Sequence, residues 1–351
     1  MVVAPHTDAL RIMFWGTPEF AVPTLEALLR SRHRVVGVVT QPDRPRGRGH
    51  KTSDAPVKAH ALAAGMPLLQ PERLRDPEFV AALSALAADL AVVAAYGNIL
   101  TDDVLAVPAL GFINVHASLL PRYRGAAPVH RAILAGERET GVTIMRVVQA
   151  LDAGPILASV RRPIGPDETS EEVERDLARL GAGLLASTVD AIADGHVIET
   201  PQDEGASTYA YRLTKDDGAI DWTQPAARVH NQIRGLHPWP HAFSFLNGRR
   251  FILRRSAVLP GVPGIPGIPG IKGAPGTVVE AAGDRLTVAA GAGGIAILEI
   301  QTEGKRPLTA REFLAGHAVT PGDRFAPQPG SMPDTPGSMP DTPGSMPGSK
   351  K

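Results

Sequence analysis

The 351-residue sequence contains no cysteine, which excludes disulfide bonds and thiol chemistry but leaves the cellular compartment undecided. No uninterrupted apolar run approaches the roughly 20 residues that a membrane-spanning helix needs. The N-terminal segment lacks the basic start and apolar stretch of a secretory signal. We therefore expect a cytoplasmic protein without a membrane span. The chain exceeds one ordinary compact core, so two domains and some disordered sequence are expected.

The formal net charge is zero, because 36 Lys and Arg residues balance 36 Asp and Glu residues. The charges are unevenly distributed, however, and residues 205–325 contain 14 basic and 9 acidic side chains. A basic second half is typical of a polyanion-binding module, although many domains that bind no polyanion carry such a surplus.

Two common cofactor patterns are missing. Residues 16–19 lack the three-glycine spacing of a dinucleotide fingerprint, which disfavours a nicotinamide cofactor. His237 and His241 in the segment HPWPH have no third ligand nearby in the sequence, so no metal site is predicted. Trp239 in the same segment is predicted to lie in a hydrophobic core.

Apolar runs alternate with helical patterns along the first 204 residues. The helical patterns begin at Pro18, at Asp54 and at Asp76, and a final helix is predicted to begin at Ser170. The predicted strands are 11–17, 34–40, 89–95, 111–116 and 142–148. This alternation predicts an α/β domain with a Rossmann-like, doubly wound and mostly parallel sheet covered on both faces.

The pattern changes at about residue 205 to short strand-like pieces separated by Gly and Pro. The predicted strands here are 242–246, 250–258, 276–279 and 285–289, which together indicate a small β-barrel domain. The predicted organisation is an N-terminal extension (1–10), an α/β domain (11–204), a barrel (205–325) and a tail (326–351). The Gly-Ile-Pro stretch at 262–271 is predicted to be a solvated loop, and the repetitive tail is expected to be disordered.

Asn114 and His116 lie two residues apart in a predicted strand, so their side chains leave the same face of the sheet. An amide and an imidazole are costly on such an apolar strand unless each finds a partner. The carboxyl end of a strand is also where open α/β sheets bind ligands. The alternative is a purely structural role, in which His116 only hydrogen-bonds a neighbouring backbone carbonyl.

Asp152 follows in a turn predicted to lie beside the same sheet edge, where an aspartate often serves only as a turn cap. Together, Asn114, His116 and Asp152 offer an amide donor, a titratable ring and a carboxylate. Acyl transfer to an amine needs such groups, because charge develops on the carbonyl oxygen while a proton leaves the amine.

Two loops could contact a ligand. The segment 118–128 is marked by Pro and Gly, which suits a close backbone approach. The segment 43–51 (DRPRGRGHK) carries four Lys or Arg residues and no apolar side chain, so it is predicted to be a mobile basic loop suited to phosphate contacts. A solvated loop without a ligand remains open as an alternative.

Six segments carry a resemblance to a known family. They are FWGTPEF (14–20), TQPDRP (40–45), YGNIL (96–100), INVHASLLPRYRGAAP (113–128), GVTIM (141–145) and LDAG (151–154). Together they resemble the methionyl-tRNA formyltransferase family from about residue 11 to residue 324. The resemblance is weakest in the second half, where IDW, PWP and PGD are the main markers.

The resemblance implies transfer of a formyl group from the co-substrate 10-formyltetrahydrofolate to the α-amine of initiator methionyl-tRNA, without a metal. It implies that Asn114, His116 and Asp152 are catalytic. It assigns folate contacts to two segments, whose residues are Ser118, Leu119, Leu120, Pro121, Tyr96, Gly97, Asn98 and Ile99. It assigns tRNA contacts to Arg44, Arg46, Arg48 and Lys51, and it implies an OB-like second domain that grips tRNA. A monomer is expected.

Three other functions stay open at this point. A sibling formyltransferase would act on a nucleotide-sugar amine or on glycinamide ribonucleotide, although the basic loop and the second domain disfavour the latter. A catalytically idle tRNA-binding protein is disfavoured by the three polar residues. A nicotinamide oxidoreductase is the third alternative.

Overall fold

The computed structural model describes residues 9–43, 54–259 and 274–328. Within these ranges, no helix combines the length and apolar character needed to cross a membrane. The Gly-Ile-Pro stretch and the tail from residue 329 lie outside the described residues.

The first half of the chain alternates strands and helices. Its strands are β1 (Arg11–Gly16), β2 (Arg34–Val39), β3 (Leu68–Leu69), β4 (Leu90–Ala94), β5 (Phe112–His116), β6 (Arg124–Gly125), β7 (Glu139–Arg146) and β8 (Ile156–Pro163). Its helices are α1 (Val22–Arg30), α2 (Pro56–Ala63), α3 (Pro77–Ala85), α4 (Asp102–Leu105), α5 (Pro128–Ala135) and α6 (Ser170–Ala193).

Seven of these strands form one sheet in the order β3-β2-β1-β4-β5-β7-β8. The pairings from β3 to β5 are parallel, whereas β7 and β8 pair in antiparallel fashion at one edge. The prediction of a mostly parallel, Rossmann-like sheet is confirmed. The antiparallel pairing of β7 with β8 is compatible with the loop of residues 147–155 that joins them, because this connection contains no crossover helix.

Both faces of this sheet are covered, as alternation along β1 shows. Ile12 and Phe14 enter the core beneath α1 and α6, while Met13 and Trp15 enter a second core that includes Phe79 of α3. All four β1 side chains are fully buried. Successive strand residues point to opposite faces, so only a doubly covered sheet can bury them all.

One predicted helix start needs correction, and two are confirmed. Asp54 does not cap α2, whose N-cap residue is Ala55, and Pro56 occupies the first helical position instead. The prediction that the final helix begins at Ser170 is confirmed, and the preceding Thr169 is its N-cap, in a reciprocal capping box with Glu172. The predicted start at Asp76 is confirmed too, since α3 begins at Pro77 and the Asp76 side chain caps it by accepting a hydrogen bond from Glu78 N.

The second half contains mainly antiparallel strands. These are β9 (Tyr209–Ala210), β10 (Ala242–Leu246), β11 (Arg249–Leu259), β12 (Val278–Ala282), β13 (Arg285–Ala289), β14 (Gly294–Thr302), β15 (Pro307–Thr309) and β16 (Phe325–Ala326). The helices are α7 (Ala226–Gly235) and α8 (Ala310–Gly316). Strands β12-β13-β14-β11-β10-β16 form a sheet in that order, with β15 added beside β14.

This second sheet curls until its two ends meet. Val278 N donates a hydrogen bond to Asp323 O at 2.7 Å, and Phe325 N donates to Gly276 O at 2.8 Å. The core inside the curl includes Trp222 and Phe313. Trp239 was wrongly predicted to lie in the core, because its side chain is 49% exposed in a turn between two prolines.

Polar contacts join the two halves. The buried guanidinium of Arg234 on α7 donates to Gly165 O at 3.2 Å and to Glu168 O at 3.0 Å. Arg255 on β11 donates to Glu172 on α6 at 2.6 Å. The connecting segment is also tied to the first half, because β9 pairs in parallel with β6 as a separate two-stranded sheet.

Candidate active site

A cavity of about 700 Å³ opens at the carboxyl ends of β4 and β5. Asn114, His116 and Asp152 all line it, although Asp152 lies 36 residues beyond His116 in the sequence. The structure therefore brings the three predicted catalytic residues together. Because β7 pairs with β5 in antiparallel fashion, it ends beside Ile113. The loop that follows brings Asp152 back to the cavity, next to His116 and Gly125.

The environment of His116 determines which ring nitrogen can react. Nε2 lies 2.9 Å from the backbone oxygen of Tyr123, and a carbonyl oxygen can only accept a hydrogen bond. Nε2 therefore carries a proton. In the neutral ring Nδ1 is then an unprotonated acceptor, and it faces Asp152 Oδ2 at 3.7 Å. The backbone contact expected for a purely structural histidine is present, but it occupies only one nitrogen.

Asp152 is held in a defined orientation by the backbone. Its Oδ2 accepts a hydrogen bond from Gly125 N at 2.8 Å, and its side chain is only 13% exposed. The residue adopts a φ of 49°, a left-handed conformation that aspartate tolerates better than most residues. At 3.7 Å the separation from His116 Nδ1 is an ion-pair distance when the ring is protonated, but it is too long for a hydrogen bond.

Asn114 completes the polar set on the central strand. It pairs with Val93 on β4 and with Met145 on β7, so it lies in the middle of the sheet with its backbone fixed on both sides. Its side chain leaves the same face as that of His116, as the spacing predicts. An amide at this position can donate to an oxygen that becomes negative between the two side chains.

Gln202 and Arg124 hold the Asp152 loop in place through side-chain hydrogen bonds. Neither residue was predicted to have this role from the sequence. Gln202 Nε2 donates to the backbone oxygens of Asp152 and Gly154, both at 2.8 Å. The fully buried Arg124 in turn donates to Gln202 Oε1 and to both carboxylate oxygens of Glu204. Gln202 lies in an irregular segment after α6 without a motif, so the sequence offers no signal for this role.

The predicted folate segment 96–99 forms one wall of the cavity. Tyr96, Gly97, Asn98 and Ile99 all line it, and Ile99 is 77% exposed. The Tyr96 ring is buried and packs edge-on against Trp15 with centroids 5.0 Å apart. Burial raises the pKa of the Tyr96 hydroxyl to about 12, so this group stays neutral at ordinary pH.

The other predicted folate segment, 118–121, does not line the cavity. Ser118 is buried, and its hydroxyl donates to Arg122 O at 2.7 Å. Thr143 Oγ1 donates to Ser118 O at 2.7 Å and accepts from Leu120 N at 3.2 Å. These bonds fix the backbone just beyond Ala117, which is the last lining residue of this segment before Gly125.

The predicted tRNA contacts Arg44, Arg46, Arg48 and Lys51 lie outside the described residues. The described residues on either side of this stretch are Asp43 and Asp54. Asp43 forms an ion pair with Lys58 and also accepts a hydrogen bond from Gln70 at 3.2 Å. The basic segment therefore starts from a residue that is anchored to the first domain.

Known proteins match the chain along nearly its whole described length. The family model "Formyl transferase" matches residues 10–189, and "Formyl transferase, C-terminal domain" matches residues 212–318. The methionyl-tRNA formyltransferase of Symbiobacterium thermophilum is 48% identical over 321 residues, which is 91% of this chain and 96% of that protein.

Solved structures share the fold. WlaRD, a sugar 3N-formyltransferase, aligns with a TM-score of 0.61 at 18% identity over 85% of this chain and 99% of its own. HypX from Aquifex aeolicus, solved in complex with tetrahydrofolic acid, aligns with a TM-score of 0.60 at 17% identity over 86% of this chain. The present chain spans about half the length of HypX. From the two matching domains and the full-length relative we conclude that the chain belongs to the methionyl-tRNA formyltransferase family.

Proposed function

We propose that this chain transfers the formyl group of 10-formyltetrahydrofolate to the α-amine of methionyl initiator tRNA. The observation that carries the proposal is the convergence of Asn114, His116 and Asp152 on one cavity in a chain of this family. The cavity volume of about 700 Å³ suits a folate-sized molecule, since cofactor sites usually enclose about 300–1,000 Å³.

In the proposed reaction the amine attacks the formyl carbon, a C–N bond forms and the formyl oxygen becomes an oxyanion. Asn114 and protonated His116 stabilise this oxyanion, the latter through Nδ1–H because Nε2–H is engaged by Tyr123 O. The bond from the formyl carbon to folate then breaks, and the proton lost by the amine is passed to the departing folate nitrogen.

Asp152 supports this sequence in two ways. Its carboxylate lies at an ion-pair distance of 3.7 Å from His116 Nδ1, so it supports the positive charge on the ring in the transition state and assists the relay of the amine proton. The hydrogen bond from Gly125 N keeps the same oxygen pointed toward the ring throughout.

We propose that residues 96–99 contact the folate directly, because all four line the cavity. Ser118, Leu119, Leu120 and Pro121 are proposed to border the folate through the backbone that they position rather than through the cavity wall. The neutral Tyr96 hydroxyl suits a wall against an uncharged ring.

The second domain and the basic loop are proposed to bind tRNA. Contact between the two ends of the curled sheet supports an OB-like barrel, in which closure removes exposed strand edges. Arg44, Arg46, Arg48 and Lys51 are proposed to contact acceptor phosphates. Arg48→Ala is expected to raise the KM for methionyl-tRNA several-fold without changing the KM for 10-formyltetrahydrofolate, and unchanged kinetics with tRNA would count against this role.

The deciding experiment supplies 10-formyltetrahydrofolate with initiator or elongator methionyl-tRNA and follows formylmethionine. We expect rapid formylation of the initiator species and weak formylation of the elongator species. Absence of formyl transfer to either tRNA would refute the proposed function. Gel filtration and fractionation of cells would test the further proposals of a monomer and a cytoplasmic location.

A further inference from the structure

Two tyrosines beside the candidate active site expose their rings to solvent. Tyr209 is 50% exposed and Tyr211 is 74% exposed. Their ring centroids are 6.3 Å apart with an interplanar angle of 23°, so the rings are stacked. Leaving two large aromatic rings in water forgoes the burial that usually stabilises them, and such exposed apolar surface commonly marks a binding site.

The backbone explains why both rings face outward. Tyr209 and Tyr211 flank Ala210, which is 1% exposed and pairs with Gly125 on β6. In an extended segment alternate side chains share a face, so packing Ala210 inward turns both tyrosines outward.

The same pairing places the rings close to the reacting groups. Gly125 lines the cavity, and its N–H is the donor that holds Asp152 Oδ2. Tyr209 itself pairs with Arg124, whose side chain supports the Asp152 loop through Gln202. Both tyrosines are therefore sequence neighbours of Ala210, the residue that pairs with the cavity-lining Gly125.

The charges around the rings are compatible with a polyanion. Three nearby acidic side chains are each neutralised by an arginine, in the pairs Glu137 with Arg122, Glu204 with Arg124 and Asp217 with Arg131. Directly after the rings, Arg212, Lys215 and Asp216 are exposed on the surface, so the two basic side chains there outnumber the one exposed carboxylate.

We propose that the Tyr209 and Tyr211 rings form a stacking subsite for an unpaired nucleobase at the 3′ end of the aminoacylated RNA. This inference rests on the proposed function, because the reacting amine is attached to that end. Aromatic rings bind unpaired bases of any sequence through their faces, and adjacent cations contact the flanking phosphates. Stacking would fix the 3′ end while the aminoacyl group enters the cavity.

Alanine substitution tests the subsite. Because stacking of one base typically changes affinity by about 5- to 100-fold, Tyr211→Ala is expected to lower kcat/KM for methionyl-tRNA within that range, mainly through KM. The KM for 10-formyltetrahydrofolate should not change. Tyr211→Phe retains the ring and is expected to recover most of the loss. Ile198→Ala removes a similarly exposed apolar side chain from the first domain, outside the cavity, and serves as the control.

A binding measurement separates this inference from the proposed function. Uncharged tRNA carrying 2-aminopurine at each unpaired 3′ position in turn should show quenched fluorescence at one position on binding the wild-type protein. Quenching should be lost with the Tyr209→Ala/Tyr211→Ala variant. If wild-type protein fails to formylate methionyl-tRNA, the proposed function is wrong, whereas the quenching result still decides the subsite.

Three outcomes would overturn the subsite. One is a Tyr209→Ala/Tyr211→Ala variant with wild-type kinetics toward tRNA, and another is quenching that persists in that variant. The third is a loss of activity accompanied by a raised KM for folate or a lowered melting temperature, which would assign the tyrosines a merely structural role.

Discussion

The most informative side-chain contact is the one between His116 and Asp152. The Tyr123 carbonyl fixes the proton on Nε2, so a neutral ring presents an acceptor to a carboxylate that is also an acceptor. That arrangement is unfavourable until a proton arrives between them, either on Nδ1 or on an attacking amine. The space between the two groups therefore accommodates an N–H donor, which is the form of His116 that stabilises the oxyanion in the proposed reaction.

Replacing either member should slow the reaction severely. We expect His116→Ala and Asp152→Asn each to reduce kcat by at least about a hundredfold. Asn at position 152 keeps an oxygen that can accept the Gly125 N–H, so this variant removes the charge while preserving the loop. Single-turnover formylation with saturating substrates would measure the effect, and melting temperatures would show whether folding is intact. Near-normal turnover in both variants would refute the proposed roles.

Tyr96 and Tyr123 differ in whether the hydroxyl has a hydrogen-bond partner, which allows a comparison of how each hydroxyl affects the free energy of unfolding. Burial raises the pKa of each hydroxyl to about 12, so both groups are neutral donors. Tyr123 Oη donates to Glu137 at 2.8 Å, whereas Tyr96 Oη is buried without a hydrogen-bond partner among residues 9–43, 54–259 and 274–328.

We therefore expect Tyr96→Phe to raise the free energy of unfolding by about 1 kcal/mol or more, because it removes a buried hydroxyl that lacks an acceptor. Tyr123→Phe should lower it by about 1–2 kcal/mol, because the Glu137 carboxylate loses a donor. Urea denaturation of the ligand-free protein measures both values. A loss of stability in Tyr96→Phe would show that its hydroxyl does have a partner.

Among the helices, α6 links the capping of its own first turn to contact with the second domain. Glu172 accepts from Thr169 in the capping box and also from Arg255 on β11. These contacts, with the Arg255 contact the largest, lower the pKa of Glu172 to about 2. One carboxylate therefore stabilises both a helix terminus and an interface.

A pH titration should reveal this contribution. A carboxylate whose folded pKa is depressed stabilises the fold fully above its unfolded pKa, near 4.5, and loses that effect as the pH falls toward 2. We expect Glu172→Gln to be less stable than wild type at pH 7, with the difference shrinking between about pH 4.5 and 2. In the Arg255→Gln background, the loss of stability that Glu172→Gln causes at pH 7 should be smaller. Parallel stability curves for wild type and Glu172→Gln would contradict the assignment.

Periodicity and capping chemistry could predict much of the secondary structure. The predictions 242–246 and 285–289 coincide with β10 and β13. Buried residues alternate strictly in β10, whereas β13 is a continuous buried run after Arg285. The helix α7 went unpredicted, because its buried face includes polar residues such as His230 and Arg234 that satisfy their bonds across the interface. Tertiary partners of this kind leave no local pattern.

The same distinction applies to the site. Asn114 and His116 could be found from sequence because polar side chains are unusual on such an apolar strand. Their spacing of two residues also places both on one face of the sheet. Gln202 could not, since its role depends on where the chain crosses the Asp152 loop after α6. The carbonyl that fixes the His116 tautomer is likewise a backbone group, and its position follows only from the fold.

The two domains are joined by a buried cation, which matters for the stability of the whole chain. The Arg234 guanidinium donates to Gly165 O and Glu168 O, and burial lowers its pKa. Arg234→Ala would leave these carbonyls without their donor, so we expect the free energy of unfolding to fall by about 2–4 kcal/mol. Arg228 lies on the same helix but is exposed, and Arg228→Ala should change it by no more than about 0.5 kcal/mol. Equal effects in urea denaturation would contradict the importance of the buried contact.

The pairing of β6 with β9 also determines where the polypeptide can be divided. Residues 209 and 210 come after the α/β sheet in sequence, yet Ala210 O accepts from Ala126 N at 2.9 Å in the loop that carries the Gly125 amide. An autonomous first domain ending at residue 204 would leave that support behind with the other fragment. Extended through Leu213, it would retain the backbone that orients Asp152, so the shorter fragment should be the poorer catalyst even toward a small amine that needs no second domain.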